Sequence, residues 1–239
     1  PTSVGLLPFL VIYSTFLQRG YDQLIHDVAL QQLKVIFCID RAGLVGEDGA
    51  THQGVFDIAY LRCIPHIEIF APRNEVELRN ILYTAQLPEQ DKALAIRYPR
   101  GYGQLTAWQL PFEKIEKKGV QLREGTRYAV LSVGTIADEV AQEINQHPEA
   151  EIFAHYDMRW IKPLDEALLH HIMSRYEAII TIEEGCKAGG FGESIVVFAK
   201  EKGYSLPIRI VAIADVFVEH GSVALQRAFT GLTNFLAEK

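Results

Sequence analysis

One loop concentrates side chains that could carry out acid–base chemistry. The stretch DRAGLVGEDGATHQG, residues 40–54, follows the apolar run KVIFCI and places two aspartates, an arginine, a glutamate and a histidine among four glycines. Histidine changes its charge near neutral pH, and Asp48 and Thr51 lie within one turn of His52. This spacing predicts a histidine with a neighbouring carboxylate, available for proton transfer.

Two simpler interpretations of this loop stay open from the residues alone. Asp40 and Arg41 could form an ion pair at the end of a strand, and the glycines could permit tight turns. A calcium loop is not predicted, because an EF-hand spreads its ligands over about twelve residues and ends in glutamate.

Two further segments have residue types suited to binding anions. In RYPRG, residues 97–101, two arginines flank a proline, and a planar guanidinium matches phosphate in a bidentate manner. A solvated arginine explains the same pattern. The glycines of EEGCKAGGFGE, residues 183–193, do not follow the GxGxxG spacing, so the segment does not predict a dinucleotide site.

Alternating strand-like and helix-like segments must position these loops. Apolar runs at 8–14, 34–39, 67–71 and 93–98 precede a segment rich in glycine and charge at 101–119, and four more runs follow at 128–134, 150–156, 178–184 and 208–214. Periodic helical segments separate most of them. The pattern predicts an α/β protein of two doubly wound units with mostly parallel sheets, divided into residues 1–118 (first unit plus linker) and 119–239. Ligands then bind at the carboxyl ends of strands, where the loops 13–19, 40–54, 97–101 and 183–192 lie.

Composition excludes several classes of function. The chain has 239 residues, 49% of them apolar, and a net charge of −7, which disfavours nucleic acid and anionic membranes as partners. Apolar runs fall short of the ~20 residues of a membrane span. Three cysteines without CxxC spacing predict neither a disulfide framework nor a zinc site, and a cytoplasmic location is expected.

Five segments carry a family resemblance: IYSTFLQRGYDQLIHDVAL, DRAGLVGEDGATHQGVFDIAYLRCIP, IRYPRG, WIKPLD and EEGCKAGGFGE. They resemble the deoxyxylulose-phosphate synthases, thiamine-diphosphate-dependent transferases of the transketolase superfamily. The resemblance implies a partial pyrimidine-binding domain followed by a transketolase C-terminal domain. It also implies condensation of pyruvate with D-glyceraldehyde 3-phosphate, with loss of carbon dioxide, for isoprenoid synthesis by the methylerythritol phosphate pathway and for thiamine and pyridoxal synthesis.

The resemblance assigns three residues to the cofactor. Phe16 matches the aromatic residue that stacks on the aminopyrimidine of thiamine diphosphate. Tyr13 and Arg19 match residues that face the reaction centre, where they contact both cofactor and substrate.

Four further residues match positions that surround the substrates. Asp48 and His52 match polar residues around pyruvate and its adduct, with His52 as the group that handles protons. Arg41 and Arg100 match the pair that grips the phosphate of the aldehyde.

The same family carries segments that this sequence does not contain. These are a diphosphate-binding domain with a GDG…N magnesium motif and an AEQH segment with the glutamate that activates the cofactor. We therefore expect a fragment that is inactive alone, with no metal ligands of its own, whose partner is the N-terminal domain of the same enzyme in a homodimer. A β-type subunit of a 2-oxo acid dehydrogenase and a non-catalytic assembly module are the alternatives.

Overall fold

The first of two sheets presents the strand ends from which the loops 13–19, 40–54 and 97–101 leave. The computed structural model describes residues 2–103, 105 and 110–236. The first sheet has the order β1-β2-β4-β3-β8, with β1–β4 parallel and β8 antiparallel to β3. Its strands are β1 (Phe9–Tyr13), β2 (Ile36–Asp40), β3 (Ile67–Phe70), β4 (Ala93–Arg97) and β8 (Trp160–Lys162).

The second sheet has the order β10-β9-β6-β7-β5. All of its pairings are parallel except that of β5, which runs antiparallel to β7 at the edge. The strands are β5 (Val120–Arg123), β6 (Tyr128–Ser132), β7 (Phe153–Asp157), β9 (Ala178–Cys186) and β10 (Ile208–Ile213). The predicted α/β architecture of two mostly parallel sheets is confirmed.

Helices connect these strands. The segment after β1 is helical from 14 to 29 and contains α1 (Ser14–Leu17), a 3₁₀ turn (Gln18–Gly20), α2 (Tyr21–Gln23) and a π-helical stretch (Leu24–Ala29). The others are α3 (Asp57–Arg62), α4 (Glu75–Thr84), α5 (Ala137–Gln146), α6 (Glu166–Arg175), α7 (Phe191–Glu201) and α8 (Val223–Thr230). Short 3₁₀ turns lie at Thr2–Val4, Gly46–Asp48 and Ala150–Ile152.

Four of these elements are absent from the sequence prediction: α3, α8 and the short strands β5 and β8. Strand β8 follows the second sheet's β7 in the chain but adds to the first sheet. The reason is packing, because Trp160 is fully buried and meets the Phe70 ring edge-on at 5.1 Å between ring centroids. The predicted boundary at residue 118 stays a prediction, and the predicted linker includes 104 and 106–109, which lie outside the described residues.

The largest of three buried apolar clusters contains residues of both units. A single cluster joins Ile58 and Leu61 of α3 to Phe191 and Ile195 of α7. Cys38 is buried in β2, where burial raises the pKa of its thiol. The shared core ties the geometry of the loops in the first unit to the position of the second.

The outer edge of the first sheet exposes apolar side chains. Strand β1 is the outer strand of the first sheet, and its residues Phe9, Leu10 and Val11 are 41%, 42% and 67% exposed.

In the described part of the chain, no helix combines the length and apolar character needed to cross a membrane.

A buried histidine in β7 makes the fold sensitive to acid. His155 is fully buried, its Nε2 lies 2.8 Å from Ser132 Oγ, and desolvation lowers its pKa from 6.5 to about 4. The unfolded chain therefore binds more protons than the folded one between these pH values, so stability is lost as pH falls. We expect this one histidine to lower the free energy of unfolding by about 3 kcal/mol as the pH falls from 6.5 to 4.

Urea unfolding at a series of pH values measures this loss. His155→Gln should reduce the loss of unfolding free energy between pH 6.5 and pH 4. His171→Gln, at an exposed position on α6, should leave this loss unchanged. If the wild type and His155→Gln lose the same unfolding free energy as the pH falls, the acid sensitivity belongs to other groups.

Candidate active site

The carboxyl ends of β1, β2 and β4 meet at one edge of the first sheet. Tyr13 at the end of β1 pairs in register with Asp40 of β2, and Ile39 of β2 pairs with Arg97 of β4. The chain therefore leaves all three strands at the same level. This places the segments with Phe16, Arg41 and Arg100 side by side, although up to 84 residues separate them in sequence (100 − 16).

A two-residue bridge closes the neck of the loop after β2. Gly43 N–H donates to Gly54 O at 2.7 Å, and Gly54 N–H donates to Gly43 O at 2.8 Å. A Cβ on Gly54 would lie 2.0 Å from Arg41 O, so no side chain fits at this position. The neck thus holds residues 44–53 as a closed loop with both ends against the strand.

Aromatic side chains form one part of the site. The Tyr13 and Phe16 rings are stacked, with 5.2 Å between centroids and 22° between planes. His52 meets the Phe16 ring edge-on at 5.5 Å, and the Arg19 guanidinium lies over the same ring at 5.6 Å. Phe16 stays 38% exposed, so its ring is accessible to a planar ligand.

Charged side chains form the adjoining part. Asp48 is ion-paired with Arg41, and Arg100 Nε lies 3.3 Å from Asp48 Oδ2. The Arg41 guanidinium also lies 4.2 Å over the Tyr13 ring, which links the charged part to the aromatic part. The structure therefore brings together all of the sequence-predicted site residues, namely Tyr13, Phe16, Arg19, Arg41, Asp48, His52 and Arg100.

The prediction that His52 pairs with the neighbouring carboxylate of Asp48 is wrong. Among the described contacts, His52 Nδ1 lies 2.9 Å from Thr51 Oγ1, while Asp48 turns to the two arginines. The alternative Asp40–Arg41 ion pair is not among the ion pairs of the described residues, where Asp40 Oδ1 instead accepts the backbone N–H of Arg41 at 2.7 Å. Two guanidinium groups, which are always charged, attract the Asp48 carboxylate more strongly than a single imidazole does. His52 is left beside Phe16.

The two arginines of RYPRG serve different purposes. Arg97 is buried, with Nε 3.1 Å from Asp57 Oδ2 and a donated hydrogen bond of 3.2 Å to Glu184 O. The Arg100 side chain is 42% exposed. Of the pair, Arg100 therefore has the access to solvent that an anion-binding residue needs.

The glycine-rich segment after β9 binds one of the chain's own carboxylates. Phe191 N–H and Gly192 N–H, at the start of α7, each donate to Glu183 at 2.8 Å. Burial raises the pKa of Glu183 to about 7, against the effect of these two hydrogen bonds. The helix terminus that could have accepted a phosphate is thus already occupied.

A cavity of about 950 Å³ opens beside the arginines and lies between the two units. From the first unit it is lined by Arg41, Arg73 and Arg100, and from the second by Asp138 and Arg227, among others. Arg73 Nη1 lies 3.4 Å from Asp138 Oδ1 across this boundary. The second unit therefore forms one wall of the candidate site.

Sequence reasoning missed the residues that join this loop to the second unit. Gln53 and Gln226 are 4% and 3% exposed, and both bind backbone groups across the boundary. Gln53 lies inside DRAGLVGEDGATHQG, but its amide has none of the acid–base character that singles out Asp48 and His52. Gln226 lies in the segment VALQRAFT, where a lone glutamine gives no sequence signal of burial. Among the described residues, no group of three or more His, Cys, Asp or Glu could hold a metal ion.

Comparison with family models assigns both units. The model of the transketolase pyrimidine-binding domain matches residues 2–104, and the model of the transketolase C-terminal domain matches residues 117–234. The chain belongs to the transketolase family. A solved structure described as a split gene transketolase, an inactive β4 tetramer, matches with a TM-score of 0.83 at 26% identity, covering 97% of this chain and 73% of that one.

Several similar curated relatives within the transketolase family are 1-deoxy-D-xylulose-5-phosphate synthases. The chain is 52% identical over 223 residues to the one from Bacteroides fragilis and 49% identical over 221 residues to the one from Parabacteroides distasonis. Each match covers 92% of this chain but only 34% and 35% of the respective relative. The chain thus spans about a third of the length of these relatives.

Proposed function

We propose that this chain supplies one wall of the active site of a 1-deoxy-D-xylulose-5-phosphate synthase, which condenses pyruvate with D-glyceraldehyde 3-phosphate and releases carbon dioxide. One observation carries the proposal: Arg41 and Arg100, from different strand ends, converge on Asp48 beside the accessible Phe16 ring. The identity of about half of the residues to relatives of that name supports it.

The residues at the end of β1 fit a thiamine cofactor. The exposed Phe16 ring, backed by Tyr13, is suited to stack on a planar aminopyrimidine, and Arg19 lies close enough to contact the same ligand. Thiamine diphosphate supplies the electron sink that loss of carbon dioxide requires. We propose that its diphosphate and Mg²⁺ ligands lie in another part of the assembled enzyme, since this chain spans about a third of the length of its curated relatives.

The charges at the loop suit a phosphorylated aldehyde. Two guanidinium groups share one carboxylate, so the cluster of Arg41, Arg100 and Asp48 carries a net charge of +1 (2 − 1). A phosphate that enters the adjoining cavity can accept hydrogen bonds from both arginines in a planar, bidentate manner. Before the substrate binds, Asp48 holds both guanidinium groups in position through its ion pairs with them. His52, next to Phe16, is placed to transfer a proton at the reacting carbons of pyruvate.

A chimera tests the activity directly. This chain would replace the matching segment of the Bacteroides fragilis relative, and the product would be measured with pyruvate, D-glyceraldehyde 3-phosphate, thiamine diphosphate and Mg²⁺. We expect formation of 1-deoxy-D-xylulose 5-phosphate within tenfold of the parental rate. A folded chimera that binds cofactor but makes no product would refute the proposed function.

The partners follow from the same proposal. We propose that the diphosphate-binding part, including the glutamate that activates the cofactor, comes from another segment, that the enzyme is a cytoplasmic homodimer, and that the apolar β1 edge is covered in the assembly. The chain alone, assayed with both substrates and cofactors, should then show no turnover. Sustained turnover by this chain alone would contradict the division of the site between segments.

Arg100→Ala in the chimera should weaken use of the phosphorylated aldehyde by about 1.5–3 kcal/mol, the range of a hydrogen bond to a charged group. This corresponds to a roughly 10- to 150-fold lower kcat/KM for D-glyceraldehyde 3-phosphate. The value for unphosphorylated glyceraldehyde should change little. Steady-state kinetics with both aldehydes measures the difference.

Arg127→Ala is the matched control for charge, since Arg127 pairs only with Glu177 on the surface of the second unit among the described ion pairs. It should behave as the unsubstituted chimera does. An unchanged kcat/KM in Arg100→Ala would remove Arg100 from the phosphate site.

A further inference from the structure

A glutamine of the second unit holds the backbone of the loop that carries Asp48 and His52. Gly46 N–H donates to Gln226 Oε1 at 2.9 Å, and Gln226 Nε2 donates to Gly46 O at 2.8 Å. The same Nε2 donates to Glu219 O at 2.8 Å. One side-chain amide of α8 therefore pairs with both polar groups of a glycine 180 residues away in sequence.

A second glutamine makes the reciprocal contact. Val45 N–H donates to Gln53 Oε1 at 3.0 Å, and Gln53 Nε2 donates to Val218 O at 3.1 Å. Both amides are almost fully buried. Buried amides whose polar groups are all paired constrain their surroundings strongly, since each lost hydrogen bond leaves a desolvated group unsatisfied.

Close backbone contact completes this junction between loop 44–53 and segment 218–226. Gly46 has a φ of +71°, and a Cβ there would lie 3.4 Å from Gly221 O and from the Val223 side chain. A Cβ on Gly49 would lie 3.2 Å from the Cβ of His220. The loop therefore lies directly against segment 218–226, with no space for a layer of side chains.

The held residues determine where the reactive side chains lie. Gly46 begins the 3₁₀ turn that ends at Asp48, and Gly49 O accepts a hydrogen bond from His52 N–H at 3.0 Å. A shift of this turn moves Asp48 relative to the two arginines, and a displacement of about 1 Å at a reacting group can lower a rate about 100-fold.

We propose that Gln226 is a positioning residue: through Gly46, the second unit sets the location of Asp48 and His52, and with it the recognition of the phosphorylated aldehyde. The inference rests on the proposed function for its effect on catalysis. Its structural part, that Gln226 orders loop 44–53, is independent of which reaction the site performs.

Gln226→Met in the chimera is the test, because methionine keeps nearly the same length and volume but cannot form either hydrogen bond with Gly46. We expect the ratio of kcat/KM for D-glyceraldehyde 3-phosphate to that for unphosphorylated glyceraldehyde to fall about tenfold. Hydrogen exchange in peptides that cover 44–53 should become about tenfold faster, while α3 keeps its protection.

Ser222→Ala is the control, because it removes the side chain that caps α8 at Leu225 N–H and leaves the Gln226 contacts in place. It should lower thermal stability without changing the substrate ratio. The same loss of ratio in Ser222→Ala would show an effect of stability alone and overturn the proposal. Unchanged exchange in 44–53 for Gln226→Met would also overturn it. If the unsubstituted chimera is inactive but Gln226→Met still speeds hydrogen exchange in 44–53, the loop contact is upheld and the proposed function is refuted instead.

Discussion

Replacement of His52 by alanine in the chimera is expected to lower kcat by roughly 10²- to 10⁴-fold, the usual contribution of a positioned general acid or base. The imidazole lies at the edge of the Phe16 ring, and its Nδ1 is held 2.9 Å from Thr51 Oγ1. In the described contacts no carboxylate pairs with this imidazole, and histidine is the side chain most often used as a general acid or base. Rapid-quench measurement of product formation would give the rate.

His52→Gln separates proton transfer from positioning. Glutamine can keep a hydrogen bond to Thr51, but it cannot exchange a proton near pH 7. We therefore expect it to be as inactive as His52→Ala. His26→Ala is the control, because this histidine is exposed and pairs with Asp22 within its own helical segment. Activity in His52→Gln within a few-fold of the unsubstituted chimera would exclude His52 from proton transfer.

Asp57→Ala is expected to destabilise the chain by about 3–5 kcal/mol, because it leaves the charge of Arg97 buried without its carboxylate. Asp57 is fully buried at the start of α3, and Arg97 Nε lies 3.1 Å from its Oδ2. Arg97 also binds Glu184 O of the second unit at 3.2 Å, so the damage should reach the boundary between the units. Urea unfolding with linear extrapolation measures the loss.

The double variant Asp57→Leu, Arg97→Met distinguishes loss of pairing from loss of packing. It removes both charges while keeping similar volumes, so it should recover much of the stability that Asp57→Ala loses. Glu177→Ala, which removes a surface partner of Arg127, should cost less than about 1 kcal/mol. A loss for Asp57→Ala no larger than that of Glu177→Ala would show that the buried pair carries little of the stability.

Local sequence patterns predict the larger elements well. Apolar runs of six or seven residues became β1, β2, β4 and β6 within one or two residues of the predicted bounds. The elements that local patterns do not predict are short ones whose formation depends on residues distant in sequence. Strand β8 has three residues and no apolar period to reveal it, and it exists because Trp160 packs against Phe70 in the other unit. Helix α8 is held in place through Gln226 rather than by a continuous apolar face.

The sequence by itself determined the α/β class, the family and the identity of the residues at the candidate site. These depend on local periodicity and on residue types in contiguous motifs such as GEDGATHQG. Only the tertiary structure decided which side chains pair. Asp48 binds Arg41 and Arg100 rather than His52, Arg97 is buried against Asp57, and Gln226 reaches Gly46. Such pairings depend on distances across strands and between units, and on the competition of several charges for one partner, neither of which is set by neighbours in the chain.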